Sequence, residues 1–359
     1  MKIIDLDLER YDLKLSEPYT IAYETIANAT NFVLRIKTDQ GNIEGFGCAA
    51  PDIPVTGETP EDVDKIFNEV LKPLLINQDP FYYTKIIHDL RTQSTAKSSV
   101  INMVDTALFD IVAKYAGVPL YKYLGGFRKS IPTSITIGIL PLQETIQKVT
   151  EFINQGFYII KLKGGLNIEE DIEKLRIIRK KYPNVRLRFD GNQGFSLDQA
   201  IHFASEIENV NVEIFEQPMD TQQEHNFAEL TNSIEMPVMA DESLKTLKDS
   251  FRLAKNNRVN MINVKLMKVG GIQEGLHINS VGQSAGYEVM VGCLDECQLG
   301  ISAGLHFSLS RRNIEFADLD SHLDFTHDPY PGLFQLKKGV IYPNDLPGLG
   351  IDKHSFVQH

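Results

Sequence analysis

Five short segments in the second half of the chain carry charged residues whose types and order suit proton transfer at carbon. They are Lys161-Leu162-Lys163, Asp190-Gly191-Asn192, Glu216-Gln217-Pro218, Ala240-Asp241-Glu242-Ser243, and Lys265 within Asn263-Val264-Lys265-Leu266-Met267-Lys268. Taken singly, K-x-K is most often a solvated face and D-G-N a turn, so the weight lies in their joint order. Asp190, Glu216 and Asp241 offer three hard oxygen donors with no nearby His or Cys, which suits Mg2+ far better than zinc. Residues two apart on a strand share a face, so Lys161 stands with Lys163 and Asp190 with Asn192. Crowded lysines repel, which predicts that one of Lys161 and Lys163 is pushed toward the neutral amine that a base requires. Lys163, one strand period further along, is the better base, and Lys161 then supplies charge. Lys268 falls three residues past Lys265, on the predicted following loop, and reads as a structural or surface lysine.

The elements that must position these groups repeat. β-branched or apolar runs at 134–137, 158–160, 185–189, 212–215, 237–239, 261–264, 288–291 and 314–316 recur at roughly 25-residue spacing, one strand plus one crossover helix. Helical periodicity fills 143–155, 167–181, 196–207, 222–233, 246–256 and 271–285. Eight such repeats close most naturally into a TIM-like parallel barrel. An open doubly wound sheet would want a glycine-rich phosphate turn after its first strand, and none follows Ile137. In a barrel the site sits at the C-terminal mouth, and every charged motif here ends a predicted strand. Ahead of the repeat, 2–15 and 31–38 alternate like antiparallel strands and 59–123 reads as helical. The predicted organisation is therefore an α+β capping domain over 1–125, completed by the Pro- and Gly-rich tail from about 324 to 359, on a barrel over 126–323.

Composition narrows the partners. The formal charge of −12 argues against nucleic acid or an anionic membrane, since neither gains counterion release from an acidic surface. No apolar run approaches the roughly 20 residues of a membrane span, and Asp5 and Asp7 interrupt the N-terminus where a signal peptide would be apolar, so a cytoplasmic location is expected. Cys48, Cys293 and Cys297 are too few and oddly numbered for a disulfide framework, and read as ordinary buried thiols.

In their order and spacing, K-L-K, D-G-N-Q, E-Q-P, A-D-E-S and N-V-K-L-M-K-V-G-G resemble the enolase superfamily, and the lysine pair resembles its muconate-lactonizing-enzyme subgroup. The likeness covers essentially the whole chain. It implies a modified (β/α)7β barrel under an N-terminal cap, Mg2+ on Asp190, Glu216 and Asp241, and Lys163 and Lys265 as an acid/base pair flanking the substrate. Cys48 departs from the pattern, standing where many relatives carry Glu after G-x-G.

One more motif narrows the choice. Asp318-Leu319-Asp320 closes the eighth predicted strand with two carboxylates on one face, and two acids at a mouth call for a cation such as a substrate α-ammonium. This resembles the dipeptide epimerases, which implies 1,1-proton transfer at the Cα of the C-terminal residue of an L-Xxx-L-Yyy dipeptide through an enolate. Cycloisomerases and o-succinylbenzoate synthases use the same lysine pair on substrates without an ammonium. A mandelate-racemase-type dehydratase would want His at the seventh strand end, where Gly292-Cys293 stands. A non-catalytic barrel scaffold or binding protein is the alternative of another class. Segments 16–25 and 51–57 resemble the two lids that set specificity. Relatives acting on Ala-Glu carry Arg in the first, where Glu24 stands here. With Asp52 and Asp295 it favours a cationic dipeptide. The competing expectation is an apolar pocket of Tyr19, Ile21 and Tyr23 selecting hydrophobic dipeptides. The expected partners are this small molecule and further copies of the chain as a homo-oligomer.

Overall fold

The computed structural model describes residues 1–22, 24–256 and 258–351. Tyr23 and the end of the tail lie outside them. Strands β1 (Ile3–Thr20), β2 (Thr25–Thr38) and β3 (Glu44–Ala49) form an antiparallel sheet in the order β1-β2-β3. The helix Ser98–Tyr115 lies on it, with Ile101, Met103, Val104, Leu108 and Ile111 buried against Phe32, Leu34 and Ile36. Gly47 permits that approach: a Cβ there would stand 1.9 Å from the Met103 carbonyl oxygen.

The barrel strands are β5 (Ile135–Ile137), β6 (Ile159–Lys163), β7 (Arg186–Asp190), β8 (Val212–Glu216), β9 (Val238–Ala240), β10 (Met261–Lys265), β11 (Glu288–Gly292) and β12 (Ile314–Asp318). Each pairs in parallel with its neighbours in chain order. Closure comes from a parallel bridge between Thr133 and Ala317, with Ser134 N donating to Ala317 O at 3.1 Å. Helices follow the first seven of these strands, giving the modified (β/α)7β barrel. Before it, β4 (Ile131–Pro132) joins a sheet with the tail strands β13 (Phe334–Lys337) and β14 (Val340–Pro343). The tail also runs beside β1, where Ser16 N donates to Asp324 O at 2.7 Å and Thr326 N to Lys14 O at 3.0 Å. No helix among the described residues is long and apolar enough to cross a membrane.

Strand periodicity builds the site. Ile214, Met239, Met261 and Met290 bury one another inside the barrel with Phe316 packed on them. Arg188 lies over the Phe316 ring at 5.3 Å. Two residues further along these strands stand Glu216, Asp241, Asn263, Gly292, Asp318 and Asp190. An apolar layer thus supports a polar one, because the side-chain period of a strand is two.

Three expectations are corrected. The first lid segment, 16–25, continues the hairpin of β1 and β2, where a free-standing loop is the expectation for a lid: Tyr19 pairs with Ile26 and Thr20 with Thr25, after a register shift beyond Lys14. The predicted helix over 222–233 divides into a 3-10 turn Thr221–Asn226 and the helix Phe227–Ser233. Lys268 lies on neither loop nor surface. It sits on the one-turn helix Leu266–Val269 and is 2% exposed.

Candidate active site

The charged strand ends meet in one cavity of about 550 Å³, bounded by the barrel mouth and the hairpin tip. Lys161 is at its floor, with its Nζ 3.1 Å from Asp190, 2.7 Å from Glu216 and 2.8 Å from Asp318. Lys163 Nζ is 2.7 Å from Asp190 Oδ2, and Lys265 Nζ is 2.8 Å from Asp241 Oδ2. β6 and β10 are four strands apart in an eight-stranded ring, so Lys163 and Lys265 enter from opposite sides.

Supporting residues hold the carboxylates in place. Asn263 Nδ2 donates to Glu216 Oε1 at 2.7 Å. Gln217, in a left-handed conformation at φ 32°, accepts on Oε1 from Asp241 N at 2.9 Å and Ser243 N at 3.2 Å. Asn192, at φ 41°, donates its backbone N–H to Asp190 Oδ1 at 3.0 Å. Left-handed non-glycine residues at successive strand ends are the kind of strain that gathers at functional sites.

The electrostatics favour the charged forms of Lys161 and Lys265. Burial opposes the charge on Lys161, but Asp318, Glu216 and Asp190 outweigh it and hold its pKa well above the ordinary lysine value. Lys265 is raised in the same way, burial being outweighed chiefly by Asp241. Lys161 keeps its ammonium because three carboxylates lie within 3.1 Å of it. Burial works against the charge of Asp241 too, yet Lys265 and Lys268 hold it well below the usual carboxylate range.

The D-x-D pair divides. Asp318 Oδ2 accepts from Lys161 and its Oδ1 from Ser134 Oγ at 2.6 Å and Thr136 Oγ1 at 3.2 Å. Asp318 is thus already matched by a cation. Asp320 accepts from Thr136 N at 2.6 Å, but among the described residues no ammonium or guanidinium pairs with it. Burial, then the Asp318 charge, push its carboxyl up to about 7.

Glu24, Asp52 and Asp295 line the same cavity. Burial raises all three carboxyls, and their mutual repulsion adds to it at Glu24 and Asp295. Asp295 has a partner, since Tyr19 Oη donates to its Oδ1 at 2.8 Å. Asp52 Oδ1 accepts from Val55 N at 3.3 Å within its own turn. Ile21 is buried beside them. Asp324, four residues beyond Asp320, is a further acid on this wall that sequence reasoning did not single out. Burial, then Asp320, push it up to about 8. Cys48 is buried and does not line the cavity; its Sγ is 3.6 Å from Asn31 Oδ1 and 3.8 Å from Cys297 Sγ.

Residues 4–125 match the family model of the mandelate racemase / muconate lactonizing enzyme N-terminal domain, and residues 144–355 that of the enolase C-terminal domain-like family. The chain belongs to the enolase superfamily. It is 36% identical to the L-Lys-D/L-Arg epimerase of Desulforapulum autotrophicum over 98% of this chain and 100% of that one. A substrate-liganded complex of the L-Ala-D/L-Glu epimerase from Bacillus subtilis superposes with a TM-score of 0.94 at 33% identity, covering 98% of each chain. The dipeptide epimerase from Enterococcus faecalis V583, complexed with Mg and L-Leu-L-Tyr, gives 0.94 at 32% identity over 98% of this chain and 99% of that one.

Within this superfamily member, the three strand-end carboxylates bear on a metal. Among the described residues no three His, Cys, Asp or Glu groups stand together as a ready ligand cluster, because lysine ammoniums lie between Asp190, Glu216 and Asp241. The donors are all oxygen, and Asn192 Oδ1 and Glu242 Oε2 are buried beside them without hydrogen-bond partners. The set fits a hard divalent cation.

Proposed function

We propose that this protein is a Mg2+-dependent dipeptide epimerase that inverts the Cα of the C-terminal residue by proton removal and return. The observation that carries this reading is Asp320: a buried carboxylate beside Asp318, without a cation of its own among the described residues, in a cavity entered by lysines from opposite strands. A substrate α-ammonium supplies the missing charge. Cycloisomerase and o-succinylbenzoate synthase substrates would leave Asp320 without one.

Asp190, Glu216 and Asp241 are the residues that would hold Mg2+, which would supply positive charge to the substrate carboxylate and to the negative charge growing on it. Lys161, at the cavity floor, adds a fixed ammonium to that field. Lys163 Nζ removes or returns the α-proton on one face and Lys265 Nζ on the other, each alternating between amine and ammonium. Tyr19, Ile21 and Glu24, near the hairpin tip, line the cavity beside these groups.

The relatives act on cationic, acidic and hydrophobic dipeptides by their names, so likeness alone leaves the side chains open. Charge complementarity supports a cationic dipeptide: Glu24, Asp52 and Asp295 line the cavity and favour Lys or Arg in the substrate. The test is one competition among Ala-Lys, Ala-Glu and Ala-Phe, with Mg2+ and with EDTA, at low and high salt. Mg2+-dependent epimerisation with a salt-sensitive preference for Ala-Lys is expected. Preference for Ala-Glu refutes both pocket readings, and salt-insensitive preference for Ala-Phe refutes the cationic one.

A further inference from the structure

Lys268 is a buried charge that the reaction above does not use. Its ammonium has three protons and three acceptors: Asp241 Oδ1 at 2.5 Å, Asp241 O at 2.5 Å and Asn263 O at 3.2 Å. With every proton engaged it has none to exchange with a substrate. What it does is grip one residue twice, by main chain and by side chain, and tie the end of β9 to β10. The two oxygens of Asp241 are thereby divided: Oδ1 belongs to Lys268, and Oδ2 faces Lys265 at 2.8 Å.

The cap domain fixes the backbone that carries Lys268. Ala50 N and Asn102 Nδ2 donate to Met267 Sδ at 3.2 and 3.4 Å. Arg91 Nη2 donates to Gly270 O at 2.9 Å, and Asp105 Oδ2 accepts from Ile272 N at 2.5 Å. Residues on both sides of Lys268 are therefore clamped by the cap, and Lys268 extends that clamp to a strand end in the barrel.

We propose that Lys268 is a positioning residue: anchored through its helix to the cap, it holds Asp241 in the rotamer that presents Oδ2 to the cavity and so sets the affinity of the metal site. This rests on the metal reading above. Two effects oppose one another. Losing the grip costs orientation, and losing a cation beside a dication relieves repulsion. Partners that orient a metal ligand are typically worth 10- to 100-fold in affinity, and the double grip on one residue makes orientation the larger effect.

The measurement is a Mn2+ titration of the full chain followed by the electron paramagnetic resonance of free Mn2+. Lys268→Met keeps the side chain's length and removes its donors. It should bind Mn2+ roughly 10- to 100-fold more weakly than the unaltered chain. The Mg2+ concentration for half-maximal α-proton exchange should rise by a similar factor. A folded Lys268→Met chain that melts lower yet binds Mn2+ equally well or more tightly overturns the proposal. If Lys268→Met does not fold, Lys268→Gln, which keeps an amide donor, is titrated instead: weaker binding supports the positioning role, and unchanged or tighter binding overturns it. Failure of the unaltered chain to bind Mn2+ would overturn the metal assignment itself rather than the role of Lys268 alone.

Discussion

Removing one amine at a time separates two-base proton transfer from any single-base scheme. Lys163→Ala and Lys265→Ala should each abolish epimerisation, while at least one still exchanges the α-proton of a single stereoisomer with solvent. Full epimerase activity in either variant contradicts the assignment. The acid pair makes a second prediction. Because Lys161 already pairs with Asp318, the proposed ammonium contact is expected chiefly at Asp320. Asp320→Asn should weaken dipeptide binding by about 2 to 5 kcal/mol, and should leave N-acylated analogues, which carry no ammonium, nearly unaffected. Equal losses for both, measured as inhibition constants, would favour the cycloisomerase reading. At this scale the sequence was legible wherever a residue acts through its strand position. Lys161, Lys163, Asp190, Glu216, Asp241 and Lys265 could all be placed by a period of two. It was not legible where partners come from distant strands. The pairing of Asp318 with Lys161 spans 157 positions, and nothing local to K-L-K or D-L-D announces it.

Elements carry the junction between cap and barrel. Asp105, on the helix Ser98–Tyr115, caps the barrel helix Ile272–Ser284 by accepting from Ile272 N at 2.5 Å and Gln273 N at 3.1 Å. Burial pushes its carboxyl up to about 7, against these two hydrogen bonds. The folded-state value lies above the ~3.9 of an unfolded chain. Its contribution to stability is therefore fully present below that pH and is lost as pH rises through about 7. Between pH 5 and 8 the melting temperature of the unaltered chain should fall relative to Asp105→Asn, which does not titrate; a relative rise would contradict the burial argument. The repeat of strand and helix was readable from apolar periodicity, as was the alternation of β1 and β2. The extension of β1 to Thr20 was not, because Pro18 cannot donate to a strand ladder and the strand crosses this stretch through a register shift. The one-turn helix Leu266–Val269 was also hidden: four residues carry too little periodicity to separate helix from loop.

At the scale of the molecule, an apolar barrel floor, a layer of charged groups and an acidic rim form one graded interior under a cap that is bonded to the barrel at Met267, Gly270 and Ile272. Such a cavity is suited to lowering the barrier for removing a weakly acidic proton, since fixed charges act strongly where water is excluded. The most direct test is 1H NMR in D2O with Mg2+, starting separately from L-Ala-L-Lys and L-Ala-D-Lys. Both should lose the Cα proton of the second residue and converge on the same diastereomer mixture, with deuterium at that carbon and no reaction in EDTA. An unexchanged Cα in every dipeptide supplied, or exchange that proceeds unchanged in EDTA, would contradict Mg2+-dependent epimerisation at this site.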